Sequence, residues 1–174
     1  MKTITTKTDV YKFDELPDDV KEKAIENLYD INLYYDWWDG IYDDAENVGL
    51  KINEFDIDRG SYVKAEFIED ACFTANKIIE NHGEMCETHK TAKQFLIDRD
   101  EIVNTAEKDA DGEFTDEYQL DQNLDDVENE FLKSISEDYR IILTKEYEYM
   151  SSEKAIIETI EANEYDFTLD GKIF

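Results

Sequence analysis

The acidic residues are the ones in this chain whose number and spacing indicate a chemical role. The 174 residues include 46 Asp and Glu against 18 Lys and Arg, a formal net charge of −28. Residues 107–130 contain eleven acids and one lysine, and residues 36–46 contain five acids and no base. If electrostatics selects a partner, that partner is positively charged. The candidate partner-binding residues are Glu107, Asp109, Asp111, Glu113, Glu117, Asp121, Asp125, Asp126 and Glu128 in the first group, and Asp36, Asp39, Asp43 and Asp44 in the second.

Part of the first acidic group has the spacing of a helical stripe. Glu117, Asp121, Asp125 and Glu128 recur at three or four residues, which on a helix places their Cβ atoms about 5–6 Å apart. Like charges at this spacing cost roughly 0.2–0.5 kcal/mol per pair. Two interpretations remain open: the row presents negative charge to a groove built for a phosphate backbone, or it is an ordinary solvated face.

The overall charge also excludes some classes of function. Nucleic-acid binding requires a basic patch, so direct binding of DNA or RNA is not expected. No run of 18 apolar residues is present, and the segment Met1–Lys7 lacks the apolar stretch of a secretory signal. We therefore expect a protein of the cytoplasm without a membrane partner. Two cysteines are too few for a disulfide scaffold.

Two sets of residues resemble metal-binding patterns. Residues 107–118 are similar to an EF-hand calcium loop, with acids at the first, third and fifth positions and Gly112 at the sixth. Glu107 stands where Asp is usual, and Tyr118 replaces the bidentate carboxylate, so an acidic interhelical loop is the alternative. Cys72, His82, Cys86 and His89 lack the close cysteine pair of a zinc finger. We predict no metal and no cofactor.

The sequence contains no recognisable catalytic motif. A nucleophile elbow, a P-loop and a dinucleotide-binding glycine pattern are all missing. Pairs of carboxylates arise by chance among 46 acids, so they carry almost no information about hydrolysis. We predict that the protein is not an enzyme, and that Trp37 and Trp38 belong to the core unless exposure makes them interface anchors.

The spacing of hydrophobic residues predicts the helices and strands that position these acids. Hydrophobic residues make up 41% of the chain, so it should fold, and we expect one domain over residues 1–174. The patterns predict an α+β fold, mostly helical with about six helices, and a small antiparallel sheet built from hairpins. The predicted helices cover roughly residues 17–31, 35–48, 69–82, 88–107, 116–149 and 152–160, with a strand at 10–13, a hairpin at 50–58 and 62–67, and a terminal hairpin at 165–168 and 172–174.

Four segments carry a resemblance to known proteins. Residues 11–25, the run Asp36-Trp37-Trp38 and residues 55–62 resemble small acidic proteins encoded by phages and mobile elements of gut bacteria, and the likeness returns at residues 167–172. Such proteins are similar in charge and size to anti-CRISPR and anti-restriction inhibitors, some of which imitate DNA. The resemblance implies a bacterial host and a basic nucleic-acid-binding partner, most plausibly a CRISPR-associated nuclease.

Charge and resemblance together lead to one expected function and one alternative. We expect a non-enzymatic inhibitor whose acids occupy the nucleic-acid-binding cleft of a defence nuclease, with residues 107–130 as the main stripe and Asp36 to Glu46 as a second patch. The alternative is a cation-binding adaptor that uses the loop at residues 107–118. A hydrolase with an acidic pair ranks last. The sequence does not specify the oligomeric state.

Overall fold

The predicted mixture of helices and a small antiparallel sheet is confirmed by the computed structural model, which describes residues 1–4 and 7–174. These residues contain six α-helices and two antiparallel strand pairs. The elements are β1 (Tyr11–Lys12), α1 (Asp18–Asn27), α2 (Asp39–Asn47), β2 (Leu50–Asp56), β3 (Tyr62–Phe67), α3 (Ala71–Asn81), α4 (Glu87–Thr105), α5 (Glu117–Met150), α6 (Glu153–Ala162) and β4 (Asp166–Phe167), with a 3-10 turn at Phe13–Glu15. Within the described ranges, no helix is long and apolar enough to cross a membrane.

The chain divides into two compact units. The first comprises Met1–Trp37 and Lys145–Phe174, and the second comprises Trp38–Thr144. Helix α5 contributes residues to both units. The expectation of a single domain stays a prediction.

The core of the first unit forms between α1, α6 and the β1–β4 pair. Val20 and Ala24 repeat at helical spacing on one face of α1 and are buried with Ile156, Ile160 and Phe167. The hydroxyl of Ser152 accepts a hydrogen bond from the Ala155 amide and caps α6. A polar cap followed by periodic apolar residues is a local signal, which explains why this helix was predictable.

The terminal strand has one partner that the sequence predicts and one that it does not. We expect residues 165–168 to form a hairpin with residues 172–174, and an antiparallel bridge joins Phe167 to Ile173, with the Phe174 amide donating to the Asp166 carbonyl at 2.9 Å. On its other side β4 pairs with β1, with Tyr11 opposite Phe167. A strand partner far away along the chain leaves no local signature, so only tertiary packing specifies this pair.

The second unit packs the β2–β3 hairpin, α2, α3 and α4 against α5. The predicted hairpin is confirmed, and it places Leu50 opposite Phe67. Phe131 of α5 stacks on Phe95 of α4 at a centroid distance of 4.4 Å and on Phe67 at 5.6 Å. Such ring pairs contribute beyond their buried area, so these contacts fix the apolar face of α5 and leave its other faces to polar residues.

The two predicted helices on either side of Asn32 are shorter in the structure than in the prediction. We expected helices over 17–31 and 35–48, but α1 ends at Asn27 and α2 begins at Asp39. Local turns occupy the segment between them, with the Leu33 amide bonded to the Asp30 carbonyl. The Asn32 amide donates to the Met150 carbonyl and accepts from the Thr159 hydroxyl. These long-range bonds hold the segment outside a helix.

Candidate functional site

The loop after α4 holds the first four candidate acids at the surface. An antiparallel bridge joins Lys108 to Phe114, and the Asp109 amide donates to the Glu113 carbonyl at 2.8 Å. One carboxylate oxygen of Asp109 accepts from the amides of Asp111 and Glu113, at 2.9 and 3.0 Å. These bonds order the loop without a ligand. Glu107, Asp109, Asp111 and Glu113 are all exposed.

The stripe on α5 is shorter than the spacing predicts. Glu117, Asp121 and Asp125 are exposed, but Glu128 is half-buried. At about 100° per residue, Glu128 lies next to the apolar row that contains the half-buried Leu124 and the buried Phe131. Asp126 is exposed but points about 180° away from Glu117. Three carboxylates therefore form the row, and a fourth lies on another face of the same helix.

The candidate acids of this region are not paired with a base in the part of the chain that the structure describes. Among the described residues, none of the nine candidate acids from Glu107 to Glu128 forms an ion pair, although Glu130 pairs with Lys133 at 3.6 Å. Their charge is therefore not neutralised by a neighbouring side chain. We call the exposed members the acidic surface: Glu107, Asp109, Asp111, Glu113, Glu117, Asp121, Asp125 and Asp126.

The four candidate acids of the second predicted patch do not belong to the same unit or have the same environment. Asp36 belongs to the first unit, whereas Asp39, Asp43 and Asp44 lie on α2 in the second. Asp39 and Asp43 are exposed at a spacing of four residues. Asp44 accepts a hydrogen bond from the Tyr139 hydroxyl at 2.8 Å, and His82 Nε2 lies 3.4 Å from its other oxygen. Asp44 is thus committed to contacts within the protein.

Asp44 belongs to a polar network that the sequence did not reveal. His82 Nδ1 lies 2.7 Å from the Thr88 hydroxyl, so carboxylate, imidazole and hydroxyl follow one another as they do in a hydrolase triad. Thr88 is only 3% exposed, so its hydroxyl does not face a substrate. The network ties α2, the end of α3, α4 and α5 together.

The residues considered as metal ligands are dispersed. Cys72 is half-buried, Cys86 is exposed and His89 is buried. Tyr118, at the twelfth position of the calcium-like loop, is 73% exposed. Within residues 1–4 and 7–174, no group of three or more His, Cys, Asp or Glu side chains is placed to hold a metal ion.

An aromatic cleft lies in the first unit, and the sequence analysis did not anticipate it. Its volume is about 610 Å³, and Tyr34, Tyr35, Trp37 and Tyr165 contribute rings to its lining. Trp37 is half-buried and its ring contacts that of Tyr147 at 5.7 Å. Two consecutive tyrosines shortly before a tryptophan are the available signal, but the predicted helix at 35–48 includes the second of them.

Comparison with known proteins adds nothing to this geometry: no family model, no curated protein and no solved structure matches the chain. The resemblance to acidic phage proteins therefore stays a prediction.

Proposed function

We propose that this protein is a non-enzymatic inhibitor that inserts its acidic surface into the basic nucleic-acid-binding groove of a bacterial defence nuclease, with CRISPR effectors as the first candidates. One observation carries the proposal: the eight exposed acids of the acidic surface lie within twenty residues and have no basic partner among the described residues. Occupying the groove would exclude DNA without any chemical step.

The spacing of the acidic surface supports competition with a polynucleotide. Glu117, Asp121 and Asp125 place one charge per about 6 Å of helix axis, and one strand of DNA has a charge per roughly 3.4 Å. The helical row alone thus provides about half the linear charge density of one strand. The four loop acids extend the charge beyond the start of α5. Complementary charge would also speed association and make it sensitive to salt.

An exposed aromatic ring adjoins these charges. Tyr118 follows Glu117 directly, is 73% exposed, and accepts a hydrogen bond from the Gln122 amide at 3.0 Å. Tyrosine is enriched among residues that dominate interface energies, because a large rigid ring becomes buried at low entropic cost. Tyr118 is therefore the expected apolar anchor of the interface.

The test measures whether this protein inhibits the binding of DNA to purified CRISPR effectors and restriction nucleases. We compare the wild-type protein with the stripe variant, Glu117→Gln/Asp121→Asn/Asp125→Asn. The matched control is Glu22→Gln/Glu26→Gln/Glu161→Gln, which removes the same charge from exposed, unpaired acids of the first unit. We expect the stripe variant to weaken inhibition about tenfold, equivalent to about 1.4 kcal/mol, and the control to leave it almost unchanged.

Two results would overturn the proposal. One is a wild-type protein that inhibits none of these nucleases. The other is equal weakening by the stripe variant and the control, because net charge rather than the acidic surface would then be responsible.

A further inference from the structure

We propose that the aromatic cleft of the first unit binds an arginine side chain presented by a basic polypeptide. This inference goes beyond the proposed function because it concerns other residues in another unit and does not depend on which protein the acidic surface contacts.

The size of the cleft and the exposure of its rings suit a ligand group. Its volume of about 610 Å³ lies within the range of roughly 300–1,000 Å³ that is usual for small-molecule sites. Tyr34 is 71% exposed and Tyr35 is 81% exposed, so large parts of both rings face solvent. Leu28 and Ile31 add apolar surface to the lining. An incoming side chain would therefore meet ring faces and aliphatic groups.

Some polar groups of the cleft are already bonded within the protein. Asn32 lines the cleft, but its nitrogen donates to the Met150 carbonyl and its oxygen accepts from the Thr159 hydroxyl. The side-chain nitrogen of Asn163 donates to the Thr159 carbonyl. Most of the other lining side chains are aromatic or aliphatic, and the negative faces of aromatic rings attract cations.

The charge around the cleft favours a cation as well. None of the side chains that line it in the described part of the chain is basic. The first unit contains 17 acids and eight lysines. Interaction with the Asp30 carboxylate raises the pKa of Tyr34, one of the lining residues, and Asp36 lies between Tyr35 and Trp37 in the chain. An anionic ligand would be repelled from this site.

Among cations, a guanidinium group fits the lining best. It is planar and stacks on aromatic rings, and it is less strongly hydrated than an ammonium group. A lysine side chain would lose more hydration on entering the cleft. The aliphatic stem of arginine would contact the apolar residues beside the rings.

The experiment titrates the full-length protein with three blocked peptides, Ac-Gly-Arg-Gly-NH2 and its citrulline and lysine counterparts. Binding is followed by the NMR resonances of the Trp37 indole N–H and the Asn32 side-chain amide. Citrulline has almost the shape of arginine but no charge. We expect saturable shifts with the arginine peptide and binding at least about fivefold weaker with citrulline. Equal binding of the citrulline or lysine peptide would overturn the proposal.

Single variants locate the site. Tyr34→Leu and Tyr35→Leu should each weaken binding of the arginine peptide about twofold to fivefold. Tyr118→Leu, which removes an equally exposed tyrosine from the second unit, should leave it unchanged. Because all three rings are exposed, we expect these variants to fold, and thermal melting checks this. Equal effects of all three substitutions would contradict the assignment.

The stripe variant separates this inference from the proposed function. It should bind the arginine peptide as the wild-type protein does, since its substitutions lie outside the first unit. Loss of peptide binding in that variant would show that general charge attraction, and not the cleft, holds the peptide. Nuclease inhibition is not measured in this experiment, so failure of one proposal leaves the other testable.

Discussion

The hydroxyl of Tyr139 donates a 2.8 Å hydrogen bond to the carboxylate of Asp44. The tyrosine is fully buried in α5, and the aspartate side chain is 49% exposed on α2. Burial raises the pKa of Tyr139. The His82 imidazole beside it, followed by the hydrogen bond from Tyr139, lowers the pKa of Asp44, although burial opposes this shift. One acid of a strongly acidic chain thus serves as the acceptor for a buried hydroxyl.

Replacing Tyr139 by Phe should destabilise the second unit while preserving the ring in the core. The variant loses one hydrogen bond to a charged acceptor, and water can reach the half-exposed carboxylate in its place. We expect the free energy of unfolding to fall by about 1–2 kcal/mol, measured by urea denaturation. The control is Tyr149→Phe, which removes an exposed hydroxyl bonded to Glu158. An equal effect of both substitutions would contradict a special role for the Tyr139–Asp44 bond.

The stabilising effect of Asp44 should depend on pH. Its pKa in the folded protein lies below the unfolded value, so its contribution is present above about pH 4 and is lost as the pH falls through the folded pKa. The stability difference between wild type and Asp44→Asn should therefore be constant near neutral pH and shrink in acid. We expect less than about 1 kcal/mol, because water screens this half-exposed group. Asp43→Asn controls for the loss of one charge from α2, and a difference that grows in acid would contradict the assignment.

Two glycines in left-handed backbone conformation should respond differently to alanine. Gly112 has φ of 88° with no atom within 4 Å of an added Cβ, whereas Gly171 has φ of 78° and its Cβ would lie 3.0 Å from the Ala24 nitrogen. Gly112→Ala should cost about 1–2 kcal/mol from backbone strain alone. Gly171→Ala should cost clearly more, because the backbone of α1 blocks the methyl group. Urea denaturation of the two variants provides the comparison, and equal costs would show that α1 gives way.

Salt should stabilise the protein by screening repulsion among its acids. Raising NaCl from about 0.01 M to about 0.1 M shortens the Debye length from roughly 30 Å to roughly 10 Å. We expect the melting temperature to rise by about 2–4 °C, equivalent to about 1 kcal/mol. The rise should be smaller for the stripe variant, which removes two pairs of like charges at a spacing of four residues. A melting temperature that does not change with salt would show that the acids are already compensated.

The helices with strong local signals were predictable from the sequence. Residues 116–149 were predicted as the longest helix or as two helices in line, because their apolar residues keep helical spacing for most of the segment. The structure has one helix, α5, over Glu117–Met150. The hairpin around Arg59 and Gly60 was predictable for the same reason, since β-branched and aromatic residues flank a short turn. Residues 28–31 and 35–38 were wrongly predicted to be helical, because the contacts that hold this segment at Asn32 come from α5 and α6.

The sequence by itself determined the number of acids, their concentration in residues 107–130 and the helical class of the fold, because composition and periodicity are local properties. Only the tertiary structure decided the role of each acid. It half-buries Glu128 beside an apolar row and assigns Asp44 to the hydroxyl of Tyr139. It leaves Glu117, Asp121 and Asp125 exposed, with no ion pair to any base in residues 1–4 and 7–174. Exposure and pairing depend on which distant residues pack against a side chain, and spacing along the chain does not encode those neighbours.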